Sequence, residues 1–328
     1  MNYRHAYHAG NFADVLKHIV LVQIIAHLKQ KPAPFRVIDT HAGVGLYHLA
    51  GLEAAKTGEW QDGIGRLWAR RSGSKPLSVG LQALLEPYFQ AVDQANSMVP
   101  ADMAGDASAP RSEFDDAETG SVLTHDTGGN LYPGSPLIAA AVMRPQDRLL
   151  VNELHPNDRG ALVQTLKAVR GRDSNVGEAV SRTNVSYKVM GLDGYTGLKS
   201  WLPPPERRAV VLIDPPFEEP GEFDRLVSGV DAAMKRFAQG TYVVWYPIKA
   251  VEPVERFKAQ LSKSVAADHF FSEIYLRAPV VPNLLNGCGL AIINPPYTLK
   301  TRLEAGLPEL VEMLKSQKDG FWTVSDGG

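Results

Sequence analysis

The stretch Phe35-Arg-Val-Ile-Asp39-Thr-His-Ala-Gly43-Val-Gly45 decides the fold of this chain. An apolar run leads directly into a glycine turn, which is typical of a buried strand followed by a tight strand-to-helix connection. Glycine has no Cβ and adopts positive φ, so a nucleotide-type ligand could approach the backbone closely here. The turn lacks the third glycine of the dinucleotide fingerprint, so an ordinary strand-to-helix turn remains an alternative.

A long helix is predicted upstream of this strand. Asn11 is a suitable N-cap, and apolar residues recur at helical spacing from Val15 to Leu28. The helix should end before Pro32 and Pro34. The first structural unit, residues 1–50, therefore combines this helix with the first strand and its glycine turn.

Further apolar runs follow downstream, and segments that can be helical separate most of them. These runs lie at residues 147–152, 185–190, 209–213, 241–246, 269–277 and 289–293. The alternation favours a doubly wound parallel sheet. The connection between the last two runs is too short for a helical crossover, so these two should pair antiparallel. We expect an α/β fold with a seven-stranded sheet that ends in an antiparallel closing hairpin.

Residues 51–130 interrupt the alternation and predict an inserted helical subdomain. The part from 60 to 89 has the pattern of amphipathic helices, whereas residues 91–130 are rich in Ala, Asp, Gly and Ser. Such a composition is typical of a mobile loop. Residues 131–328 should then complete the main domain.

The composition of the chain excludes several classes of protein. The 328 residues carry a formal charge of −2, so contact with a nucleic acid has to come from a local basic patch. The single cysteine, Cys288, excludes an internal disulfide and a cysteine-rich metal site, and no metal is implied. The amino terminus has no signal-peptide pattern and no apolar stretch is long enough to cross a bilayer. We expect a cytoplasmic protein.

Acidic residues stand at or just after the ends of four apolar runs. These residues are Asp39, Glu153, Asp193 and Asp214. Ligands of an open parallel sheet bind at the carboxyl ends of the strands, so all four should line one edge of the sheet. A generic Rossmann domain does not need all of them, and we assign Asp39 and Gly43 to the ligand-binding turn.

Two of these positions suggest contacts to an adenosine group. Glu153 is placed to accept hydrogen bonds from both ribose hydroxyls, and Asp193-Gly194 could contact the edge of an adenine. The alternative for each carboxylate is an ordinary surface position in a turn.

The strongest chemical signal is Asp214-Pro215-Pro216-Phe217, directly after an apolar run. The N6 amino group of adenine is a poor nucleophile because its lone pair is delocalised into the ring. A carboxylate and the Pro215 carbonyl can accept hydrogen bonds from its protons while the prolines hold the loop rigid. An aromatic ring can stack on an extruded base. The alternative is a diproline turn that only ends a strand.

A second motif, Asn294-Pro-Pro-Tyr297, also follows an apolar run. It ends the last antiparallel strand, whose end should point away from the ligand crevice. Asp214 ends a strand near the reversal of strand order, beside that crevice. We therefore choose Asp214 as the catalytic residue, although asparagine would be commoner in DNA adenine enzymes.

The sequence closely resembles the bacterial 23S ribosomal RNA adenine-N6 methyltransferases of the RlmJ family, over nearly the whole chain. The stretches that carry this resemblance are Tyr3-Arg-His-Ala-Tyr-His-Ala-Gly-Asn11, Ala13-Asp-Val-Leu-Lys-His18, Asp39-Thr-His-Ala-Gly43, Tyr132-Pro-Gly-Ser-Pro136, Glu153-Leu-His-Pro156, Asp193-Gly194, Leu212-Ile-Asp-Pro-Pro216 and Trp245-Tyr-Pro247. The resemblance implies a class I, Rossmann-like fold that uses S-adenosylmethionine (SAM) as co-substrate. Phe217 departs from the more usual tyrosine, and the 91–130 segment is longer than the family needs.

Residue roles also follow from the resemblance. It implies Asp214 as the catalytic residue and Tyr3 near the RNA. It implies SAM contacts from His18, His41, Ser135, Glu153, Asp193 and Gly194. On the first helix, Lys17 together with His18 could meet the methionine carboxylate of SAM.

The expected partner is 23S rRNA, recognised without ribosomal proteins, and no obligate protein partner or membrane is expected. Tyr3, Arg4 and His5 are the principal candidates for RNA contact. Further basic candidates are His8, Arg207, Arg208, Lys235 and Arg236. The alternatives are a DNA adenine-N6 methyltransferase and a SAM- or RNA-binding assembly factor without turnover.

Overall fold

Strands and helices alternate along most of the chain in the computed structural model, which describes residues 5–103, 131–170, 183–280 and 284–327. The strands are β1 (Arg36–Asp39), β2 (Leu46–His48), β3 (Leu131–Pro133), β4 (Arg148–Asn152), β5 (Ser186–Met190), β6 (Ala209–Ile213), β7 (Thr241–Ile248), β8 (His269–Tyr275), β9 (Gly287–Ile293) and β10 (Phe321–Asp326). The α-helices are α1 (Phe12–Lys29), α2 (Leu52–Thr57), α3 (Arg66–Ser72), α4 (Val79–Ser97), α5 (Ser135–Val142), α6 (Pro156–Val169), α7 (Gly194–Trp201), α8 (Glu222–Arg236), α9 (Val251–Ser264) and α10 (Leu299–Leu314).

The main sheet has the strand order β10-β8-β9-β7-β6-β1-β4-β5. The five strands β7, β6, β1, β4 and β5 are parallel to one another, and β8 and β9 pair antiparallel as predicted. The strand order reverses between β1 and β6, so the ligand crevice of this fold lies at their carboxyl ends. The α/β fold with its closing hairpin is confirmed.

The sheet has eight strands rather than the predicted seven. The additional strand, β10, pairs antiparallel with β8 along its whole length. Its side chains are exposed or half-buried, so its sequence has no apolar run of the kind that reveals a buried strand.

Two apolar cores cover the two faces of the sheet. Val37 and Leu212 belong to the core formed with α1, α4, α5 and α10, whereas Ile38 and Ile213 belong to the core formed with α7, α8 and α9. Successive strand residues point to opposite faces, which explains why the central strands are continuous apolar runs.

Helix α1 begins where the sequence predicts. The Asn11 side chain accepts hydrogen bonds from the backbone N–H groups of Ala13 (3.0 Å) and Asp14 (3.1 Å). Every residue from Phe12 to Ile25 is buried, so the helix is enclosed on all sides. Its amino-terminal end therefore holds polar side chains inside the protein.

The insertion after β1 starts and ends at a small antiparallel ribbon formed by β2 and β3. Helix α4 continues through residues 91–97 and buries Ala91, Val92 and Ala95, so the loop predicted for 91–130 was wrong over 91–97. Apolar burial on one face of α4 outweighs the low-complexity composition there. Residues 104–130 lie outside the described residues.

Helices α4 and α10 meet backbone to backbone. A Cβ atom on Gly80 would collide with the carbonyl oxygen of Ala305, and the neighbouring Gly306 is equally confined. The absence of side chains here lets the inserted helix dock on the carboxyl-terminal helix. No helix within the described ranges has the length and apolar character that crossing a membrane requires.

Gly80→Ala should lower the free energy of unfolding by roughly 2 kcal/mol, because the added methyl group meets a backbone atom that cannot move aside. Gly160→Ala is the matched control, because Gly160 lies inside α6 with nothing within 4 Å of an added Cβ. That control should raise the free energy by about 0.5–1 kcal/mol. Urea unfolding measures both, and equal effects of the two substitutions would contradict the packing argument.

Candidate active site

A cleft lies at the carboxyl ends of β1, β4 and β6 and holds about 1040 Å³ of empty space, counting its open mouth. Its lining includes seven of the predicted site residues at the strand ends and the residue His5 from the amino terminus. The lining residues are His5, His41, Gly43, Glu153, Leu154, His155, Asp158, Asp193, Gly194, Tyr195, Asp214, Pro216, Glu218, Glu219, Glu222 and Arg225.

Glu153 fastens the glycine turn to β4. Its Oε2 accepts a hydrogen bond from the Gly43 N–H (2.9 Å), and its Oε1 accepts one from the His155 N–H (2.8 Å). Burial raises the pKa of Glu153 above its ordinary value. Each carboxylate oxygen has two acceptor sites, so both can still accept a hydrogen bond from a ligand.

Gly43 adopts a φ of +60°, and a Cβ atom there would collide with the Tyr47 hydroxyl. Glycine is therefore required for both the backbone conformation and the space.

His41 and Gly194 pack against each other in the cleft. A Cβ atom on Gly194 would lie 2.9 Å from Cε1 and 3.0 Å from Nε2 of His41. The Thr40 hydroxyl donates to the Leu212 carbonyl (3.0 Å), so it accepts from Nδ1 of His41 (2.8 Å). Burial lowers the pKa of His41 to about 4. His41 is thus neutral at pH 7, with Nε2 as an acceptor.

Asp193 caps helix α7. Its Oδ1 accepts from the Thr196 N–H (2.9 Å), and its Oδ2 accepts from Nη2 of Arg225 (3.2 Å). Burial opposes ionisation of Asp193, but these bonds outweigh it and lower its pKa. The sequence prediction of an adenine contact missed this partner from α8.

Three further residues of the cleft, Tyr195, Glu222 and Arg225, were not predicted from the sequence. The Tyr195 hydroxyl donates to Glu222 (2.6 Å), and the Arg225 guanidinium lies 5.2 Å from the centre of the Tyr195 ring. Glu222 and Arg225 occupy the first turn of α8, after the diproline loop. Only their position next to predicted site residues in the sequence could have pointed to them.

Asp39 and Ser135 lie beneath the turn rather than on the cleft surface. The Ser135 hydroxyl donates to Oδ2 of Asp39 (2.6 Å), and the His41 N–H donates to Oδ1 (3.2 Å). Asp39 is 1% exposed, and burial raises its pKa to about 6. Both predicted ligand contacts are therefore engaged with the protein, where they support the turn from below.

Lys17 is a buried cation held between two carboxylates. Its Nζ forms an ion pair with Oδ1 of Asp14 (2.8 Å) and a second one with Oδ2 of Asp214. Burial disfavours the charged ammonium, but the two carboxylates outweigh that effect and raise the pKa of Lys17. The side chain predicted to meet a ligand thus ties α1 to the loop after β6.

Asp14 extends this network to the amino terminus. Its two oxygens lie 3.1 and 3.0 Å from Nε2 of His5, and Oδ2 also accepts from the Gly10 N–H (2.9 Å). Burial lowers the pKa of His5, but Asp14 outweighs this effect and leaves it raised. A chain of contacts therefore connects His5, Asp14, Lys17 and Asp214 along one side of the cleft.

His18 points into the core instead. Its Nδ1 lies 2.8 Å from the Tyr132 hydroxyl, which lies 3.1 Å from the Tyr88 hydroxyl. Burial lowers the pKa of His18 to about 3, so the ring is neutral. His18 does not line the cleft, and its described partners join α1 to the inserted helix α4.

The diproline loop brings Asp214 and Pro216 to the cleft surface, while Pro215 is buried. Phe217 has a φ of +48°, uncommon for a residue with a side chain. Its ring is half-buried and packs edge-on against Phe223 (4.9 Å between centroids) and Trp245 (5.8 Å).

The second motif, Asn294-Pro-Pro-Tyr297, lies at the amino ends of the parallel strands, opposite to the cleft. Nδ2 of Asn294 donates to the carbonyls of Ala238 (2.7 Å) and Gly240 (2.8 Å), just before β7 begins. Because β9 runs antiparallel to β7, its end meets the amino end of β7. The Asn294 carboxamide is therefore occupied in closing the sheet.

Four of the basic candidates for RNA contact also lie away from the cleft. Arg207 and Arg208 precede β6, while Lys235 and Arg236 end α8, so all four sit toward the amino ends of the parallel strands. These four residues therefore do not contribute to the cleft at Asp214, and their contact with RNA stays a prediction. Tyr3 and Arg4 lie outside the described residues. Within the described ranges, no cluster of three or more His, Cys, Asp or Glu side chains is arranged to hold a metal ion.

The chain matches a family of RNA-modifying enzymes. The family model described as Ribosomal RNA large subunit methyltransferase D, RlmJ, matches residues 32–103 and 120–326. The chain is 35% identical to Ribosomal RNA large subunit methyltransferase J of Haemophilus influenzae, with 99% of this chain and 98% of the relative covered. It is 34% identical to the protein of the same name from Escherichia coli strain K12, with the same coverage.

One solved structure is similar over its full length. The crystal structure of a protein from Legionella pneumophila strain Philadelphia 1 superimposes with a TM-score of 0.74 at 28% identity. The match covers 98% of this chain and 99% of that chain. The insertion and the sheet are thus part of one shared architecture.

Asp39→Asn should change the pH dependence of stability. The raised pKa of about 6 means that the folded protein binds this proton more tightly than the unfolded chain does. Stability therefore falls as the pH rises through the interval between the two pKa values. From about pH 4.5 to 7.5, the unfolding free energy of the wild type should fall by about 2 kcal/mol relative to the variant. Urea unfolding across this range measures the difference, and parallel pH profiles would contradict it.

Proposed function

The chain belongs to the RlmJ family of ribosomal RNA large subunit methyltransferases, and we propose that it transfers a methyl group from SAM to N6 of an adenine in 23S rRNA. The observation that carries this proposal is the position of Asp214, which shares one cleft with Gly43 and Glu153. The carboxylate that would accept a hydrogen bond from the target base therefore shares the cleft with the turn proposed to bind adenosine. The reaction takes place in the cytoplasm, on RNA without bound ribosomal proteins.

The cleft residues fit SAM. Gly43 and Gly194 both line the cleft, and the lack of a Cβ atom lets Tyr47 and His41 pack closely against their backbones. Glu153 accepts hydrogen bonds from the ribose hydroxyls, and Asp193 with Gly194 borders the adenine. Neutral His41 presents Nε2 without adding a positive charge beside the sulfonium that SAM supplies as methyl donor.

In this proposal the buried residues support the cleft through contacts within the protein. Asp39 and Ser135 fix the glycine turn, and His18 fixes α1 against Tyr132. Lys17 is the residue of this group nearest to the reaction, because its ammonium binds Asp214 directly. A methionine carboxylate near α1 would meet this same cation.

Asp214 orients the nucleophile. Lys17 occupies its Oδ2, and among the described residues Oδ1 accepts no hydrogen bond, which leaves it for an N6 proton of the adenine. The carbonyl of Pro215 offers the second acceptor. Accepting a hydrogen bond from each amino proton draws the N6 lone pair out of the ring and directs it at the methyl group. As the N–C bond forms and the S–C bond of the sulfonium breaks, N6 loses one of these protons. Phe217, braced by Trp245, forms the apolar wall beside the base.

Transfer of radiolabelled methyl groups tests the function. The purified protein with labelled SAM should methylate deproteinised 23S rRNA, and digestion should yield N6-methyladenosine. Duplex DNA serves as the comparison substrate. Labelling of DNA in preference to RNA would identify a DNA adenine methyltransferase instead, while SAM binding without any transfer would identify a binding protein.

Asp214→Ala should lower the turnover number by at least roughly 100-fold, the usual scale for loss of a positioned acid–base group. SAM affinity, measured by isothermal titration, should stay within a few-fold because Asp214 faces the base.

Asn294→Ala is the matched control, since it removes the equivalent side chain from the second motif. It should keep the turnover number while lowering the unfolding free energy by about 2 kcal/mol, because two backbone carbonyls lose their donor. Full turnover in Asp214→Ala would refute the assignment of Asp214, and a selective loss of turnover in Asn294→Ala would transfer the role to that motif.

A further inference from the structure

The lining of the active-site cleft is predominantly acidic. The carboxylates at its surface are Glu153, Asp158, Asp193, Asp214, Glu218, Glu219 and Glu222. The one arginine in the lining, Arg225, is paired with Asp193 and Glu222. An RNA backbone gains no favourable attraction from such a mouth, so its phosphates require a positively charged surface elsewhere.

The arginines of the inserted helix α3 do not supply that surface. Arg66, Arg70 and Arg71 are each paired with a carboxylate of Asp62, Glu309 and Asp93, respectively. Their charge is therefore largely neutralised within the protein.

A second cleft lies where the end of α1 meets the start of α10. It holds about 440 Å³ of empty space including its mouth. We call it the Tyr297 cleft, after the exposed residue beside it. Its lining residues are Gln23, Ala26, His27, Gln30, Pro296, Thr298, Leu299 and Arg302.

The loop beside this cleft is rigid and presents an aromatic ring. Asn294 is fastened by its side-chain bonds, and its carbonyl accepts from the Thr241 hydroxyl (2.9 Å). The two prolines restrict the next two residues. Tyr297 is nevertheless 83% exposed, and its ring meets the His27 ring edge-on with 6.0 Å between centroids. An exposed ring on a rigid loop is a ready platform for stacking.

The charged groups nearest to His27 in the Tyr297 cleft are positive. The charged groups that act on the His27 ring are Lys31, Arg208 and Arg302, and no carboxylate is among them. Nη1 of Arg302 donates to Oε1 of Gln23 (2.7 Å), a buried amide that is itself bonded to the Ala83 carbonyl. A neutral partner orients the guanidinium without neutralising it. Neither Lys31 nor Arg302 forms an ion pair within the described part of the chain.

We propose that the Tyr297 cleft binds a nucleotide of the substrate RNA, at a site separate from the one that takes the target adenine. The base stacks on the ring of Tyr297, while Arg302 and Lys31 contact the phosphate. This proposal rests on the proposed function, since it takes RNA as the substrate, and it assigns the second diproline motif a role in binding rather than in chemistry.

The distance between the two clefts suits a single RNA. Helix α1 runs from Lys17 beneath Asp214 to His27 in the Tyr297 cleft, a span of 27 − 17 = 10 residues. At 1.5 Å per residue this is about 15 Å along the helix axis. Stacked nucleotides rise about 3.4 Å each, and the RNA has to pass around the enclosed helix, so at least roughly five nucleotides separate the two clefts.

Binding of 23S rRNA transcripts to Tyr297 variants tests the stacking. Tyr297→Ala should raise the Kd for RNA roughly tenfold, the scale found when a stacking aromatic is removed. Tyr297→Phe keeps the ring and should bind within about twofold of the wild type. Thermal unfolding verifies that both variants fold, as expected for so exposed a side chain. Equal Kd values for the wild type and Tyr297→Ala would overturn the proposal.

The salt dependence of binding tests the phosphate contact. Arg302→Gln and Lys31→Gln should each reduce the slope of log K against log salt concentration by about 0.7, the value for one single-strand phosphate contact. Arg256→Gln is the control, because Arg256 is an exposed arginine on α9 that is paired with Glu252. An unchanged slope in Arg302→Gln, or an equal change in the control, would overturn the phosphate contact.

Steady-state kinetics separate this proposal from the proposed function. Tyr297→Ala should raise the KM for RNA about tenfold while kcat and the affinity for SAM stay unchanged. If the wild type binds RNA through Tyr297 but transfers no methyl group, the proposed function fails and the binding site stands. If it methylates RNA and Tyr297→Ala does so with the same KM, the binding site fails and the function stands.

Discussion

The buried ammonium of Lys17 is the constraint on which the site depends. A charge removed from water is tolerated only when it is paired and hydrogen-bonded, and Lys17 has its partners in Asp14 and Asp214. One of these lies on the same helix and the other follows β6. Helix α1 and the diproline loop are therefore held together by one ion-pair cluster, which fixes the orientation of the Asp214 carboxylate.

The sheet supplies the rest of the geometry. Reversal of the strand order between β1 and β6 opens a crevice where the turn after β1 and the loop after β6 face each other. Glu153 follows β4 and Asp193 follows β5, and both side chains line the same crevice. Polar groups that are distant in sequence thus converge, and Asp39 and Ser135 hold the turn from the core side.

The two diproline motifs lie in different surroundings in this fold. Asp214 and Asn294 both precede a diproline pair, but they lie at opposite edges of the sheet because β9 runs against the parallel strands. At Asp214 one carboxylate oxygen pairs with Lys17, and the other accepts no hydrogen bond from the described residues. At Asn294 both amide protons bind backbone carbonyls, and the loop presents Tyr297 to solvent instead.

The sequence by itself determined the parallel core, the antiparallel hairpin and the strand ends that carry the acids, because buried strands and glycine turns leave local patterns. It could not reveal β10, whose side chains are half-exposed, or the last turns of α4, whose burial depends on contacts with other elements. Nor could it tell that Lys17 would pair with Asp214, or that His18 would turn toward Tyr132. Only the tertiary structure decided these partners, since each contact joins segments far apart in the chain and no local periodicity encodes which distant side chain will be met.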